Sequence, residues 1–544
     1  MNQSPVLEIK NLSVRLSDGA RSRNVIQGVN LDVNAGETVC IVGESGSGKS
    51  VTSLAIMGLL PKSILTPSGT ILLDGEEVLK AGNSRLRQLR GTRMAMVFQE
   101  PMTALNPVEP VGRQIEEVLQ LHTQSSRAEK RRMVIDMMKS VHLPTPDEIY
   151  DAYPHQLSGG QRQRILICMA LILKPALLIA DEPTTALDVT TQKQILSLIK
   201  ELQQTLNTAV VFITHDFGVV AEIADRIVVM NKGAVVESGT REEILSQPKH
   251  AYTRMLVSSV PSLTPTNESR QLGEPILSVT GLSRIYREFK LLRTGRSVNA
   301  VKDAEFTLRK GEIVGIVGES GSGKSTLARC ISRLIEPTTG KIDLGGHDIA
   351  GLSRRKLRPF RRRIQIVFQD PYRSLNARLR VGDSIVEGLL NFGIKRPEAR
   401  NKAAELIRLV GMEPDVLRRY PHQFSGGQRQ RICIARALAL EPDVLVADEA
   451  VSALDVSVQS QVLTLIKLIR DRRNLGIVFI THDLRVAAQI CDTIIVMQNG
   501  TVVEAAPAKQ VLLHPSHRYT RTLLSAAPGR QWDFQNFRPF VTRH

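Results

Sequence analysis

A nine-residue segment, VGESGSGKS, occurs twice in this chain, at 42–50 and again at 317–325. The two copies begin 275 residues apart, and Asp181 and Asp448, each at the end of a similar apolar segment, are 267 residues apart. The motifs keep their order through each half of the chain. A repeat of this length indicates two copies of a whole domain, because the repeats of a solenoid are only ~20–50 residues long.

The repeat predicts where the domains begin and end. We expect a first domain at 1–257, a second at 276–525 and a C-terminal tail at 526–544. Residues 258–275, SSVPSLTPTNESRQLGEP, are rich in Pro, Ser and Thr and have no apolar period, so we interpret them as the linker. The sequence assigns no role to the tail.

Short apolar segments alternate with longer helical segments within each half. ETVCIVG (37–43), ALLIAD (176–181) and AVVFITHD (209–216) have the β-branched composition of buried strands, and 189–207 has the length and pattern of a helix. Such alternation predicts an α/β fold with a mainly parallel sheet covered by helices.

Composition constrains the cellular setting. No apolar segment reaches the ~18–20 residues needed to cross a bilayer, and the N-terminus lacks the pattern of a secretion signal. The cysteines form no C-x-x-C pair, so we expect neither a metal site nor disulfides and predict buried free thiols. They are Cys40, Cys168, Cys330, Cys433 and Cys491.

The chain is strongly basic, with a net charge of +17. Such a charge suits either nucleic acid or an anionic membrane surface. Aromatic residues make up only 4% of the chain and do not interleave with the basic segments, which argues against a base-stacking surface. We therefore expect an anionic membrane surface and no nucleic acid. The densest basic segment, SRRKLRPFRRR at 353–363, could equally be a solvated helix face.

The repeated segment contains the pattern G-x-x-x-x-G-K-[ST], which forms a phosphate-binding loop between a strand and a helix. Its glycines let successive backbone N–H groups point at phosphate oxygens, and the helix N-terminus adds partial positive charge. The lysine then reaches the β- and γ-phosphates, and the serine holds Mg²⁺. The predicted ATP-binding loop residues are Gly43, Glu44, Ser45, Gly46, Ser47, Gly48, Lys49, Ser50, Val51, Gly318, Glu319, Ser320, Gly321, Ser322, Gly323, Lys324, Ser325 and Thr326.

An Asp–Glu pair follows a predicted strand in each half. Asp181 and Glu182 end ALLIADE, and Asp448 and Glu449 end VLVADE. An aspartate at the end of a buried strand can hold Mg²⁺, and the next carboxylate can accept a proton from the attacking water. We therefore predict two hydrolytic sites with Glu182 and Glu449 as general bases.

Three further motifs occur once in each half: LSGGQ or FSGGQ, VFQ, and ITHD. Together with the phosphate loop and the Asp–Glu pair they resemble the ATP-binding-cassette (ABC) ATPases over roughly 6–260 and 276–525. The resemblance implies tandem P-loop NTPase cassettes, each with an additional antiparallel β part and a helical subdomain. It also implies that Gln99 and Gln369 sense Mg²⁺ and the γ-phosphate.

The resemblance implies further roles and a shared geometry. His215 and His482 would act at the γ-phosphate, and Asp188 and Asp455 would lie at the seam between cassettes. Each signature segment would complete the ATP site of the other cassette, so that Lys49 shares an ATP with Ser425 and Lys324 shares one with Ser158. The signature residues are Ser158, Gly159, Gly160, Gln161, Ser425, Gly426, Gly427 and Gln428. The expected Mg²⁺ ligands are Ser50, Gln99, Asp181, Ser325, Gln369 and Asp448.

Three departures from the family pattern distinguish the halves. This family stacks adenine on an aromatic residue upstream of the phosphate loop. Tyr286 occupies that position in the second half, whereas the first half has Leu16. We expect weaker adenine binding and looser base selectivity at the Lys49 site. The second half also begins its signature with Phe424 and has Ala450 where the first has Pro183, and we expect little effect from either change because both spare the polar groups.

The segments after the two cassettes narrow the resemblance to a subfamily. QPKHAYTRML (247–256) and HPSHRYTRTLL (514–524) resemble the His-Pro-x-Tyr-Thr segment of peptide and nickel uptake ATPases, some of which fuse two cassettes and import peptides, microcin C or glutathione. The resemblance implies two polytopic permease partners, indirectly a solute-binding protein, and a place on the cytoplasmic face of the inner membrane. No cysteine cluster follows the segment, so we predict no iron–sulfur cluster.

Peptide is the expected solute, with glutathione, nickel or a peptide antibiotic as alternatives. A soluble ribosome-associated twin-cassette ATPase is the alternative of another class. Proteins of that class carry a long charged helical linker between the cassettes, which the Pro/Ser/Thr-rich segment 258–275 does not resemble.

Overall fold

A computed structural model of the chain describes most of its residues. The described ranges are 4–18, 21–61, 65–99, 101–185, 187–265, 271–290, 293–452 and 454–540. Part of the predicted linker, 266–270, and the last tail residues, 541–544, lie outside the described residues.

The chain folds into two compact units. The first comprises Met1–Val260 together with Pro528–His544, and the second comprises Pro261–Ala527. The last helix of the first half ends at Ser258, and the first strand of the second half begins at Pro275. The C-terminal tail belongs to the first unit, so the chain returns to that unit after the second cassette.

The first unit contains the elements of the first cassette. Its strands are β1 Leu7–Asp18, β2 Arg21–Val33, β3 Thr38–Val42, β4 Leu65–Leu73, β5 Glu76–Glu77, β6 Met94–Val97, β7 Leu177–Asp181, β8 Ala209–Thr214, β9 Arg226–Asn231 and β10 Ala234–Thr240. Its helices are α1 Lys49–Ile56, α2 Asn83–Thr92, α3 Pro101–Ala104, α4 Val111–His122, α5 Arg127–Ser140, α6 Pro146–Tyr150, α7 Gly159–Leu171, α8 Val189–Leu206, α9 Phe217–Ile223, α10 Arg241–Ser246 and α11 Ala251–Ser258, with a 3-10 helix at Pro154–Gln156.

A mainly parallel sheet forms the centre of this cassette. Its strand order is β10-β9-β3-β8-β7-β6, and β10 is its antiparallel edge strand. β3, which leads into the phosphate loop, lies between β9 and β8, with Ile41 opposite Val228 on one side and Ile213 on the other. A separate antiparallel sheet has the order β2-β1-β4-β5. The loops after β3, β6, β7 and β8 therefore meet at one edge of the parallel sheet, where ligands of α/β folds bind.

The second unit repeats this arrangement. Its strands are β11 Pro275–Lys290, β12 Arg293–Arg309, β13 Ile313–Val317, β14 Thr339–Leu344, β15 Ile364–Val367, β16 Val444–Asp448, β17 Gly476–Ile480, β18 Thr493–Gln498 and β19 Thr501–Pro507. Its helices are α12 Lys324–Ile331, α13 Arg354–Arg363, α14 Pro371–Ser374, α15 Val381–Asn391, α16 Arg396–Leu409, α17 Gly426–Leu438, α18 Val456–Arg473, α19 Leu484–Ile490, α20 Ala508–Leu513 and α21 Arg518–Ala526, with 3-10 helices at Pro414–Arg418 and Pro421–Gln423.

The sheets of the second cassette follow the same order as those of the first. β19-β18-β13-β17-β16-β15 corresponds strand for strand to the parallel sheet of the first cassette. β12 pairs with β19 through one residue pair, Lys302 and Thr501, so its antiparallel strands β14-β11-β12 continue the same sheet. The prediction of tandem α/β cassettes is confirmed.

Burial explains why the apolar segments form strands. Every residue of β3, β7 and β8 is buried, and so is every residue of β13, β16 and β17. Strands covered on both faces need continuous apolar, β-branched sequence, and each fully buried Val, Ile or Phe side chain contributes roughly 1.5–3 kcal/mol. The predicted helix at 189–207 is α8, Val189–Leu206, which ends at Asn207 in a left-handed conformation.

The tail forms a small folded element of the first unit. It contains β20 Trp532–Asp533, a 3-10 helix at Phe534–Asn536 and β21 Arg538–Pro539, with β20 and β21 paired antiparallel. The 3-10 helix packs against α11, and β21 packs against α10.

The structure can be compared with the expectations for the cysteines, the basic segment and membrane-spanning helices. All five cysteines are buried and unpaired. Burial raises the pKa of the Cys330 thiol, and that of the Cys433 thiol, to about 11 in each case. The basic segment 353–363 forms the largely exposed helix α13. Within the described ranges, no helix has both the length and the apolar character needed to span a membrane.

Candidate functional site

The phosphate loop of the first cassette lies between β3 and α1. Gly43 has φ +153°, and a Cβ there would lie 2.2 Å from the carbonyl oxygen of Met230. Gly48 has φ +103° at the N-cap of α1. A Cβ on Gly46 would meet open space, so the loop leaves a cradle above its backbone. Only glycine satisfies the first two positions without strain or collision.

The lysine of each motif spans its own loop. Lys49 is buried, and its Nζ donates to the carbonyl oxygens of Gly43 at 2.7 Å and Glu44 at 2.9 Å. Lys324 makes the same two bonds to its loop, at 2.8 and 2.7 Å. These bonds hold the ammonium group beside the loop, which is the preorganisation that a phosphate site needs.

The serine after each lysine meets the aspartate that ends a core strand. Ser50 Oγ lies 3.4 Å from Asp181 Oδ1, and Ser325 Oγ lies 3.0 Å from Asp448 Oδ1. Burial raises the pKa of Asp181 to about 6 and also raises the pKa of Asp448. A hydroxyl oxygen beside a buried carboxylate is a donor set that fits a hard divalent cation, whose charge would offset the cost of burying the carboxylate.

Glu182 lies at the centre of a polar cluster in the first cassette. It has φ +47°, a conformation that costs energy for a residue other than glycine. Gln99 Nε2 donates to its Oε2 at 2.8 Å, and His215 Nδ1 lies 3.0 Å from its Oε1. Burial alone would raise the pKa of Glu182, but the hydrogen bond and charge of His215, with a bond from Thr185, lower it to about 2. The carboxylate is therefore ionised at neutral pH.

The second cassette repeats this cluster with one difference. Glu449 has φ +49°, Gln369 Nε2 donates to its Oε2 at 2.8 Å, and His482 Nδ1 lies 3.4 Å from the same oxygen. Burial would raise the pKa of Glu449, but the bond to His482 lowers it. Burial would lower the pKa of His482, but Glu449 raises it.

The difference is the hydroxyl residue beside the glutamate. Thr185 Oγ1 donates to the carboxylate of Glu182 at 2.9 Å. Ser452, which occupies the equivalent position, donates to the backbone carbonyl oxygen of Glu449 at 3.0 Å instead. The Glu182 carboxylate thus accepts a bond from a neighbouring hydroxyl group, whereas the equivalent hydroxyl group in the second cassette bonds to the main chain. Sequence reasoning did not select either residue.

The signature segments form the N-termini of two long helices. Ser158 caps α7 in a reciprocal bond with Gln161, and Ser425 caps α17 in the same way with Gln428. A Cβ on Gly160 would lie 2.5 Å from a methyl group of Thr191, so this position also requires glycine. Ser158 and Ser425 are exposed at these N-termini, where backbone N–H groups favour an anion.

The predicted pairing of Lys49 with Ser425, and of Lys324 with Ser158, joins residues of different units and stays a prediction. The predicted seam residue Asp188 caps α8 by accepting from Thr191 N at 2.9 Å. Asp455 occupies the equivalent position at the start of α18.

The two predicted adenine positions differ in the structure as they do in sequence. Tyr286 is exposed on β11, with the Arg284 guanidinium 4.8 Å from the centre of its ring. Leu16, on β1, offers a partly exposed aliphatic side chain at the corresponding place.

Sequence reasoning missed a tyrosine that contacts each phosphate loop. Tyr252 on α11 accepts a bond from Glu44 N at 3.1 Å, and its hydroxyl lies 3.2 Å from Glu44 Oε2. Tyr519 on α21 accepts the same backbone bond, from Glu319 N at 3.0 Å. These are the tyrosines of the two HAYT and HRYT segments, whose equal position in both halves was the available signal.

A buried or half-buried glutamate holds each of these segments in place. Glu237 accepts from the backbone N–H groups of Lys249 at 2.6 Å and His250 at 3.0 Å. Glu504 accepts from Ser516 N at 2.8 Å and His517 N at 3.1 Å. The ring nitrogens of the two histidines then cap the helices that carry the tyrosines. The segment therefore connects the last strand of each cassette, β10 or β19, to the phosphate loop.

The fold and the sites define a tandem P-loop ATPase. Comparison with known families shows which class of P-loop ATPase it is. A family model described as "ABC transporter" matches residues 26–185 and 301–452. A second, described as "Oligopeptide/dipeptide transporter, C-terminal region", matches 236–283 and 503–534. The chain belongs to the ATP-binding proteins of ABC transporters and is an ABC-type ATPase with two cassettes.

Curated relatives match nearly the whole chain. It is 46% identical to "Glutathione import ATP-binding protein GsiA" of Pectobacterium atrosepticum, over 96% of this chain and 89% of the relative. It is 44% identical to "Peptidoglycan transport ATP-binding protein YejF" of Agrobacterium fabrum, over 97% of both chains. Among solved structures, it matches "Dimeric structure of a post-hydrolysis state of the ATP-binding cassette MJ0796 bound to ADP and Pi" over 43% of this chain and 99% of that chain, at 29% identity and a TM-score of 0.39.

Proposed function

We propose that this chain is the energy-coupling ATPase of an importer of short peptides, with glutathione, itself a tripeptide, inside the class of solutes. The observation that carries the proposal is that the segments after both cassettes match the C-terminal region of oligopeptide and dipeptide transporters. The relatives named for glutathione import and for peptidoglycan transport support it, because peptidoglycan also carries short peptides. Nickel and peptide antibiotics are the other candidate solutes.

The chain would work with two polytopic permeases and, through them, a solute-binding protein outside the membrane. Its place would be the cytoplasmic face of the inner membrane. The exposed basic helix α13 supports a position beside an anionic surface.

Catalysis at the first site follows from the cluster around Glu182. With a pKa of about 2 the carboxylate is a weak base, because His215 and Thr185 stabilise its charged form. When His215 turns to a bound γ-phosphate, Glu182 loses its bond to that ring and its pKa rises. The base therefore becomes stronger when ATP is present, and it can accept a proton from the attacking water. Glu449 and His482 would act in the same way.

Mg²⁺ would be held by Ser50 and Asp181 in the first site and by Ser325 and Asp448 in the second. It would supply positive charge against the β- and γ-phosphates. Gln99 and Gln369, which donate to Glu182 and Glu449, would turn toward the metal and phosphate when ATP binds.

Each ATP would also need the signature segment of the opposite cassette. Ser425 and Gly427 at the N-terminus of α17 supply a hydroxyl group and backbone N–H groups suited to a γ-phosphate. ATP would then close the two cassettes by binding better to the closed arrangement, and hydrolysis would reopen them. Carrying both cassettes on one chain raises their effective concentration.

Uptake measurements test the proposed solute. The chain is produced together with candidate permeases and a candidate solute-binding protein, in cells lacking their own peptide uptake. We expect labelled tripeptides, including glutathione, to accumulate, and the variant with both Glu182→Gln and Glu449→Gln to accumulate none. Uptake of nickel without peptide would overturn the proposed solute, and co-purification with ribosomes in place of permeases would overturn the transport role.

A further inference from the structure

The chain passes between the two units at equivalent residues of the two halves. The first unit gives way to the second after Val260, and the second gives way to the first after Ala527. These residues are 267 residues apart, the separation that also relates Asp181 to Asp448. A proline follows in both cases. The C-terminal segment of each cassette therefore leaves its own unit at the same point of the repeated fold.

The tail meets the first unit at helix α9. Gly529 N donates to Glu222 Oε1 at 3.1 Å. Gly529 has φ +69°, and a Cβ there would lie 2.7 Å from the Cα of Gly218, so the two backbones are in close contact. Two glycines facing each other allow an approach that no larger pair would permit.

The tail is anchored by a buried aromatic side chain. Phe534 is only 4% exposed, and its 3-10 helix packs against α11. Asp533 stabilises the turn that presents it, by accepting from Asn536 Nδ2 at 2.9 Å and pairing with Arg538 at 3.5 Å. The segment is therefore a folded element seated on the first unit, and its buried ring gives it a specific place there.

The two helices under the tail both connect to the first ATP site. α9 begins directly after His215 and Asp216, and its first turn is capped by Asp216. α11 carries Tyr252, which contacts the phosphate loop at Glu44. The tail thus touches the two elements of the first cassette that lead to the γ-phosphate residues and to the loop.

A shorter segment that follows the first cassette belongs to the second unit. Residues 261–265 belong to the second unit, and Leu263 packs against the apolar core of that unit. The exchange is thus reciprocal, although the segment from the second cassette is the larger of the two among the described residues.

We propose that the tail, residues 528–540, is a clasp that keeps the second cassette attached to the first when no nucleotide is bound. ATP would then close two cassettes that are already held as a pair, and the clasp would keep α9 and α11 in place while the cassettes open. The clasp acts in addition to the linker, because it joins the units at a different point of the chain.

Cutting the linker of the full-length protein tests this proposal. A protease site is inserted between Pro265 and Gln271, the folded protein is cut, and the two fragments are followed by sedimentation velocity without nucleotide. We expect the fragments to sediment together. Removing residues 528–544 should separate them, and Phe534→Ala should weaken their association at least tenfold.

Two further variants control for folding and position. Phe540→Ala removes an aromatic ring from the same tail at a site that is 41% exposed, and it should leave association unchanged. Gly529→Val perturbs the contact with Gly218 without removing any buried apolar group, and it should weaken association. The proposal would be overturned if the two fragments of the protein with the wild-type tail separated after cutting. It would also be overturned if the fragments stayed together after the tail was removed.

Discussion

The contact between Tyr252 and the phosphate loop gives the most specific prediction about the first ATP site. Tyr252→Phe removes one hydroxyl group and keeps the ring. The group accepts from Glu44 N and lies within bonding distance of the Glu44 carboxylate. A bond to a neutral partner contributes about 0.5–1.5 kcal/mol and one to a charged partner about 1.5–3 kcal/mol.

The loss at the loop should be smaller than the sum of these two values. Glu44 is only half-buried, so water can replace part of what the hydroxyl supplied. We take ~1–2 kcal/mol as the cost to the bound arrangement of the loop, which is a loss of roughly 5–30-fold in ATP affinity. Tyr519→Phe should act on the second site, because Tyr519 accepts the same backbone bond from Glu319.

Calorimetric titration with ATP measures this loss in a background that isolates the first site. Lys324→Ala disables the second loop, and Glu182→Gln prevents turnover during the titration. Tyr150→Phe is the matched control, because Tyr150, like Tyr252, has its hydroxyl group bonded to a glutamate side chain, here Glu116; Tyr150 is buried, and burial and that bond raise its pKa to about 12. We expect Tyr150→Phe to lower stability without changing ATP affinity.

The outcome separates a positioning role from a general loss of stability. An unchanged affinity in Tyr252→Phe would refute the reasoning, and so would an equal loss in Tyr150→Phe. A weaker affinity in Tyr252→Phe alone identifies Tyr252 as a residue that positions the loop.

Three further predictions concern differences between the halves and pH. Thr185→Val removes a hydroxyl donor from Glu182 and should raise the pKa of that carboxylate, shifting the acid limb of ATP turnover at the first site to higher pH. Leu16→Tyr supplies the aromatic ring that the first half lacks, worth ~1–3 kcal/mol where bases stack on aromatic residues, and should raise the preference of the first site for ATP over GTP in competition binding. Glu504→Gln tests how stability depends on pH. Burial would raise the pKa of Glu504, but the hydrogen bonds that Glu504 accepts lower that pKa. The carboxylate therefore stabilises the fold above the usual glutamate pKa, and this stabilisation is lost as pH falls through the lowered pKa. Denaturant unfolding should therefore show the largest deficit of this variant at neutral pH and a shrinking deficit in acid.

The sequence predicted the fold of each cassette because its strands and loops depend on local patterns. Continuous β-branched segments become buried strands wherever helices cover both faces of a sheet, as β3 and β7 illustrate. The loop glycines, including Gly43, are required by backbone geometry that any chain forming this turn must adopt. The Asp–Glu pair follows from its place at the end of a core strand.

Other features could not be predicted because they depend on contacts distant in sequence. Tyr252 meets Glu44 across 208 residues, and the tail meets Glu222 across 307. The repeated HAYT and HRYT segments single out the tyrosine but not its partner, and the contact of the tail leaves no local pattern. The different bonding of Thr185 and Ser452 depends on the direction in which a small hydroxyl points, which the residue type does not determine.

We propose that each nucleotide is bound by the loop of one cassette and the signature serine of the other. Counting occluded ATP in a background with Glu182→Gln and Glu449→Gln tests it directly. Lys49→Ala with Ser425→Glu places both changes at one predicted site, and the protein should retain one ATP per chain. Lys49→Ala with Ser158→Glu places one change at each site, and the protein should retain none. The reverse pattern, with one ATP kept only in the second combination, would contradict the account.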